Sequence, residues 1–272
     1  MSKQESKARP SVVTDKNEEF WREFLEQGGD TYRGIRWLFL HLPAEPRCLM
    51  CGSPFKGPGA PLMRLIGKRP STANPNWCTG CFGYMTKHRG GAEVHGAFLF
   101  ADIRGSTSLA ERLSSSEYHG LLERYFATAT SAVFKYDGFV DKFVGDELVA
   151  LFYPLLSGER YVGRAVDAAK ELLRATGHGD PNGPWVPVGA GVHAGMAWFG
   201  SVGEGTHVEM TAVGDAVNIA ARLAAAAEAG EILVSADAAA AAGVDPALER
   251  HPLALKGKEL PTEVVSLRIS PD

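Results

Sequence analysis

The stretch Asp137-Gly-Phe-Val-Asp-Lys-Phe-Val-Gly-Asp-Glu-Leu-Val-Ala-Leu-Phe152 holds two short runs rich in β-branched and aromatic residues, Phe139–Val144 and Leu148–Phe152, on either side of Gly145-Asp146. A turn dipeptide between two such runs is the pattern of a β-hairpin. Alternation along the first run predicts Val140, Lys142 and Val144 on one face, and Phe139, Asp141 and Phe143 on the other. Lys142 thus falls among apolar residues, four positions before an aspartate at the hairpin tip. Each has an ordinary use: lysine guards sheet edges, and aspartate is a common turn residue.

A second carboxylate lies upstream in a similar setting, in Phe98-Leu-Phe-Ala-Asp-Ile-Arg-Gly-Ser-Thr107. Phe98 to Ala101 reads as a short buried strand with Asp102 at its end. A glycine-containing loop then leads into a helix, for which Ser108 and Glu111 have capping-box spacing. A strand, a loop and a helix start bring backbone N–H groups to a place where phosphate can bind. Two aspartates on adjacent strand ends can hold hard cations through oxygen, and paired metals of this kind suit in-line displacement at phosphorus.

These two blocks, followed by Ala-Val-Gly-Asp-Ala-Val-Asn-Ile-Ala-Ala-Arg over 212–222, resemble the class III nucleotidyl cyclase catalytic domain, in the family's order and over about Gly96 to Ile269. The resemblance implies an α+β fold with a ferredoxin-like βαββαβ core. It also implies conversion of a nucleoside triphosphate to a cyclic nucleotide and pyrophosphate. Asp102 and Asp146 match the metal-binding aspartates, with the carbonyl of Ile103 as a third ligand, for two Mg²⁺ or Mn²⁺ per active site. Lys142 matches the purine-reading residue. A lysine donor suits adenine N1, whereas the guanylyl enzymes resemble one another in having a glutamate there, so ATP is the expected substrate. Thr211 matches the partner purine-reading position, which is aspartate in many members. Threonine marks a subgroup, some of whose members respond to bicarbonate, and its hydroxyl both accepts and donates. Asn218 and Arg222, at i and i+4 on one helix face, match the ribose-orienting asparagine and the transition-state arginine. Gly105, Ser106 and Thr107 fall in the phosphate-facing loop, and Lys256 resembles a lysine that contacts the phosphates. Asp215 reads as the N-cap of its helix. In the family the aspartates come from one subunit and the Lys, Thr, Asn and Arg set from the other. A chain carrying both sets is therefore expected to form a head-to-tail homodimer with two equivalent sites.

The 272 residues are 45% hydrophobic and 22% charged, in the range of a globular protein with a sizeable core. No apolar run approaches a membrane span and no signal-peptide core opens the chain, so a cytoplasmic location is expected. The net charge of −4 is unevenly distributed: residues 1–91 hold 14 Lys and Arg against 8 Asp and Glu, the remainder 14 against 24. A basic first third can dock on the acidic remainder or recruit an acidic partner.

All four cysteines lie in that basic third, as Cys48-Leu-Met-Cys51 and Cys78-Thr-Gly-Cys81. Two Cys-x-x-Cys pairs with none left over form the ligand set of a tetrahedral thiolate site. One structural Zn²⁺ is the expected occupant; an iron–sulfur cluster uses the same ligands. Basic zinc ribbons can bind nucleic acid, but no interleaved aromatic stacking pattern accompanies this one, so nucleic acid is not expected as a partner. Ahead of the cysteines, Phe20, Trp21, Phe24 and Leu25 recur at helical spacing before Gly28-Gly29, and a second helix is expected over about 31–42, stopped by Pro43. Their large apolar groups are expected to pack at the dimer interface.

Three regions follow: a disordered tail over 1–16, a helical and four-Cys ribbon-like region over 17–91 with a boundary at Gly90-Gly91, and a catalytic domain over 92–272. Within the last, a long helix is expected over 107–136, further helices over 160–175, 215–229 and 236–243, and strands over 185–198, 206–212, 231–235 and 263–269. Two other readings stand beside an adenylyl cyclase: a cyclase for another base, GTP or a pyrimidine, and a catalytically silent nucleotide-binding scaffold. The joint presence of Asp102, Lys142, Asp146, Asn218 and Arg222 argues against silence.

Overall fold

The computed structural model describes residues 15–27, 30–42, 46–48, 50–72, 75–204, 207–255, 258 and 260–269. The fold is built on one sheet with helices on both faces. Strands β1 (Gly91–Ile103), β2 (Phe139–Val144), β3 (Glu147–Phe152), β4 (Val188–Glu204), β6 (Glu231–Ser235), β7 (Arg250–Leu253) and β8 (Thr262–Arg268) lie in the order β2-β3-β1-β4-β6-β8-β7, and β5 (His207–Val213) pairs with β4. The β2-β3-β1-β4 portion is wholly antiparallel, and β6 joins it by a parallel pairing with β4. With a helical connection after β1 and another after β3, this is the βαββαβ order expected from the sequence.

Each face of the sheet has its own core. On one side, α6 (Ser115–Lys135), α8 (Tyr161–Ala175) and α10 (Ala236–Ala242) bury Tyr125, Val133, Ala169 and Leu172 against Leu99, Ala101, Leu148 and Val192. On the other, α9 (Asp215–Ala226) lies along β4. Its close approach is set by Gly191, where a Cβ would stand 2.2 Å from the Ala224 nitrogen. Beside α9, the first third of the chain covers the same face. Trp21 and Leu25 of α1 (Asp15–Gln27), Phe39 of α2 (Asp30–His41) and all four cysteines join one buried cluster with Val94, Phe98, Phe139 and Leu151. The apolar stripe of α1 and Phe39 of α2 are thus spent within the chain, beside the sheet face. The outer face of α2 remains open, with Ile35, Trp37 and Leu38 each about half exposed.

Several boundaries differ for physical reasons. The expected long helix after Asp102 is two: α5 (Ser106–Arg112) ends where Leu113 turns extended, and a reciprocal capping box of Ser114 with Glu117 starts α6, not Ser108 with Glu111. Asp215 does not cap α9; Gly214 holds that position, and Asp215 is the first helical residue, ion-paired with Lys258. The sheet begins at Gly91, and only His88–Gly90 separate it from α4 (Thr79–Lys87). Helix α1 starts inside the stretch expected to be a tail, whose residues 1–14 lie outside the described residues, as do Gly28, Gly29 and Pro43. No helix among the described residues is long and apolar enough to cross a membrane.

Candidate active site

Register builds the carboxylate site. The β1–β3 pairing sets Asp102 opposite Glu147, so Asp146, one residue earlier in the turn, meets the same strand end. Gly145 supplies the left-handed conformation of that turn at φ 65°. Burial pushes the Asp102 carboxyl up to about 6; a hydrogen bond with Asp146 adds to this, while the Arg104 guanidinium opposes it. Burial and the neighbouring Asp102 likewise push Glu147 up to about 7. Oδ2 of Asp146 is buried without a hydrogen-bond partner. The paired Asp102 and Asp146 carboxyls, one with an unpartnered buried oxygen, fit hard divalent cations. Arg104 is ion-paired with Asp102 and also donates to the Ala225 and Ala227 carbonyls at 3.3 and 3.4 Å, tying this strand end to the end of α9. Ile103 is buried on β1. Behind the strand, the Tyr125 hydroxyl donates to the Ala101 carbonyl at 2.9 Å. Gly105, in the left-handed region, precedes Ser106 and Thr107 at the start of α5.

Lys142 and Thr211 come together through a feature alternation does not predict. A β-bulge between Val140 and Lys142 leaves Asp141 unpaired and sets Lys142 opposite Val149. Lys142 therefore shares the face of Phe139, not that of Val140, and Phe143 turns to the helix side, where its ring meets Phe126 at 4.1 Å. This corrects the expected faces. Lys142 Nζ donates to Thr211 Oγ1 at 3.3 Å, and Thr211 donates to Asp141 Oδ2 at 2.8 Å. Glu209 Oε2 is 3.9 Å from Lys142 Nζ. Beside them opens a cleft of about 360 Å³ lined by Asn76, Trp77, Asp141, Lys142, Glu209 and Met210. Two of these residues come from the four-Cys region, and Trp77 packs edge-on to Phe139 with centroids 6.0 Å apart. Asp141, Glu147, Glu209, Asn76 and Trp77 were not singled out from the sequence as site residues. An acidic residue beside each predicted one was the available signal for the first two.

Asn218 is exposed and Arg222 half-buried on α9, four residues apart on one face. Neither aspartate of the carboxylate site lines the cleft beside Lys142. The described residues thus hold two separate groupings, one with Asp102 and Asp146 and one with Lys142 and Thr211. Lys256 lies outside the described residues. A cavity of about 780 Å³ lies elsewhere, between α2, α6 and α8, and holds none of the predicted residues.

The four cysteines converge from two knuckles. Cys48 N–H donates to Ser53, Gly52 N–H donates back to Cys48, and Cys78 caps the start of α4. All four thiols are free and buried, with their sulfurs within 4.8 Å of one another. The Cys51–Cys78 separation is 3.8 Å, about the S···S spacing of a tetrahedral thiolate set with ligands at roughly 2.3 Å. Backbone N–H groups of Cys78 and Cys81 point at sulfur, at 3.3 and 3.4 Å, and Lys68 Nζ stands 3.9 Å from Cys51. Burial disfavours the Lys68 ammonium, but the thiolates, Cys51 foremost, outweigh it and hold its pKa above the ordinary lysine value. These four residues can bind a metal ion.

Residues 93–264 match the profile described as the adenylate and guanylate cyclase catalytic domain, and the chain belongs to that family. Among curated relatives, it is 35% identical over 130 residues to an adenylate cyclase of Anabaena cylindrica, a span of 46% of this chain and 26% of that protein. An uncharacterised protein of Mycobacterium tuberculosis is 34% identical over 181 residues, covering 64% of this chain and 33% of its own. The chain thus spans about a quarter to a third of these relatives. Among solved structures, the adenylyl cyclase CyaB from P. aeruginosa superposes with TM-score 0.57 at 28% identity, over 66% of this chain and 97% of that one. The guanylyl cyclase Cya2 does so with TM-score 0.59 at 26% identity, over 65% and 93%.

Proposed function

We propose that the chain is an adenylyl cyclase that converts ATP to cyclic AMP and pyrophosphate at sites shared between two copies of itself. The observation that carries the choice of base is the Lys142–Thr211 contact at 3.3 Å beside an open cleft. Lys142 donates to adenine N1, and Thr211 accepts from the exocyclic amine. Asp102 and Asp146, with the Ile103 carbonyl, hold two Mg²⁺ or Mn²⁺. When bound, these ions supply positive charge that acidifies the 3′-hydroxyl and neutralises the triphosphate. Asn218 orients the ribose. Arg222 hydrogen-bonds the charge that develops as the bond from O3′ to the α-phosphorus forms and the bond to the pyrophosphate oxygen breaks. The loop 105–107 and Lys256 contact the phosphates. The four cysteines hold one structural Zn²⁺, for which the tetrahedral sulfur spacing speaks; an intracellular setting suits both the thiolates and the substrate.

The test is incubation of purified, metal-replete protein with each nucleoside triphosphate, with Mg²⁺ and with Mn²⁺, and identification of products by mass spectrometry. Cyclic AMP from ATP, abolished by Asp102→Ala, is the expected result. A guanylyl cyclase is the second reading, favoured by Glu209, whose carboxylate near Lys142 can accept from the guanine N1–H and amino group; cyclic GMP as the main product would establish it. Elemental analysis of the same sample is expected to give one zinc per chain, and iron with visible absorbance would replace zinc by a cluster.

A further inference from the structure

We infer that Asp141, the bulge residue, fixes Thr211 as a hydrogen-bond acceptor toward the base and so makes the site selective for an adenine amine over a guanine carbonyl. The inference rests on the nucleotide-binding reading above and deepens it. A hydroxyl has one proton to give and two lone pairs to receive with. Taken alone, Thr211 suits either purine, because it can accept from the adenine amine or donate to guanine O6.

Its neighbours remove that freedom. The Asp141 side chain is 3% exposed, and its Oδ2 lies 2.8 Å from Thr211 Oγ1 and 3.6 Å from Lys142 Nζ. An ionised carboxylate only accepts, so the Thr211 proton points to Asp141. Lys142 has only protons to offer, and its Nζ, at 3.3 Å, takes one Thr211 lone pair. One lone pair remains on Thr211, with no proton left to present, and its neighbours Asp141, Lys142 and Met210 line the cleft. Burial pushes the Asp141 carboxyl up to about 6, against the Thr211 hydrogen bond and the Lys142 charge, so it is ionised at pH 7.5. Its Oδ1 is buried and without a hydrogen-bond partner, which leaves Oδ2 as the oxygen that orders the pair. The bulge is essential to this arrangement: regular alternation would send Asp141 and Lys142 to opposite faces of the sheet. A carboxylate from β2 sits beside Thr211 of β5, a strand it does not pair with, and acts through a hydroxyl instead of touching the base. Asp141 is thus a positioning residue.

The experiment compares kcat and KM for ATP and GTP in the wild type, Asp141→Asn, and Asp141→Asn combined with Thr211→Asp. Affinities for non-hydrolysable analogues of both nucleotides are measured by calorimetry on the same proteins. In Asp141→Asn the amide can donate to Thr211 and release its proton toward the base. The ratio of kcat/KM for ATP to that for GTP is expected to fall at least about ten-fold, mainly through KM. Thr211→Asp in the double variant has only acceptors to offer and is expected to restore the ATP preference. An equal loss for both nucleotides in a folded Asp141→Asn protein, without rescue, would reduce Asp141 to a structural role and overturn the inference. A wild type that turns over ATP and GTP alike would overturn it while leaving the cyclase reading intact. A wild type that binds neither analogue would overturn both.

Discussion

Asp102 and Glu147 face one another at paired positions of β1 and β3 with Asp146 alongside, and the folded chain bears the cost of their crowding whenever no cation is bound. The folded pKa of Asp102 is about 6, above the ordinary 3.8. Between these values the folded state holds more protons than the unfolded one, so this group lowers stability as pH rises from about 4 to about 6, and the loss is fully present above that. Asp102→Asn removes the charge. In metal-free buffer at pH 7.5 it is expected to raise the melting temperature by about 2–4 °C, the equivalent of roughly 1 kcal/mol after allowance for partial exposure. The gain should vanish by about pH 4, and Mg²⁺ or Mn²⁺ should stabilise the wild type and not the variant. Melting curves at both pH values with and without metal measure this; a wild type that is the more stable at pH 7.5 without metal would contradict it. At this scale the sequence was largely readable. Asp102, Lys142, Asp146 and the four cysteines stand in motifs whose spacing carries chemistry. Asp141 and Glu209 were not legible, because their roles come from partners about 70 and 67 positions away.

Between strands and helices, small residues do the positioning. Helix α9 carries Asn218 and Arg222, and its distance from β4 is set at Gly191, where an added Cβ would collide with backbone atoms of Ala220, Leu223 and Ala224. Backbone cannot rotate aside as a side chain can. Gly191→Ala is therefore expected to cost about 1–3 kcal/mol and to lower kcat by displacing the α9 pair. Gly120→Ala, on an exposed face of α6 with open space around it, is the control and is expected to be neutral or stabilising by about 0.5–1 kcal/mol. Unfolding curves and steady-state rates of the two variants distinguish these outcomes. Element positions were readable where periodicity is strong: β6 lies at its expected residues, and the hairpin stands within one residue of its expected limits. Strand β7 was missed, since Arg-His-Pro-Leu contains a proline. Proline is tolerated there because β7 is the outermost strand of the sheet. The bulge was missed because a single extra residue leaves the local pattern of β2 unchanged while altering which face each later side chain takes.

Across the whole molecule, the carboxylate site and the base-reading cleft are separate places on one chain. On the proposed reading neither is a complete catalyst, and a second copy in head-to-tail arrangement would supply each with the other. Mixing Asp102→Ala with Arg222→Ala protein is expected to restore about a quarter to a half of wild-type activity per chain, since one of the two sites in a mixed dimer keeps both halves. Activity is read after mixing at several ratios, with mixed dimers verified by differential tagging. No recovery in such dimers would mean that each chain works alone. The α+β architecture was legible from the order of strands and helices. The burial of the first third against the sheet was not, because an amphipathic helix does not state which apolar surface it will cover.

Trp77 lies immediately before Cys78, a wall residue of the cleft beside one of the four clustered thiols, and its ring packs edge-on to Phe139, the first residue of the hairpin. Whatever holds that ring in place holds both. Two binding events that share an element obey thermodynamic reciprocity: if an ion at the cysteines raises the cleft's affinity for nucleotide, an occupied cleft must retain that ion by the same factor. Nucleotide is therefore expected to slow the escape of metal to a chelator, and Trp77→Ala to abolish the protection while the ion still binds. The ribbon would then act as a slow memory of recent nucleotide occupancy, written in the residence time of its ion.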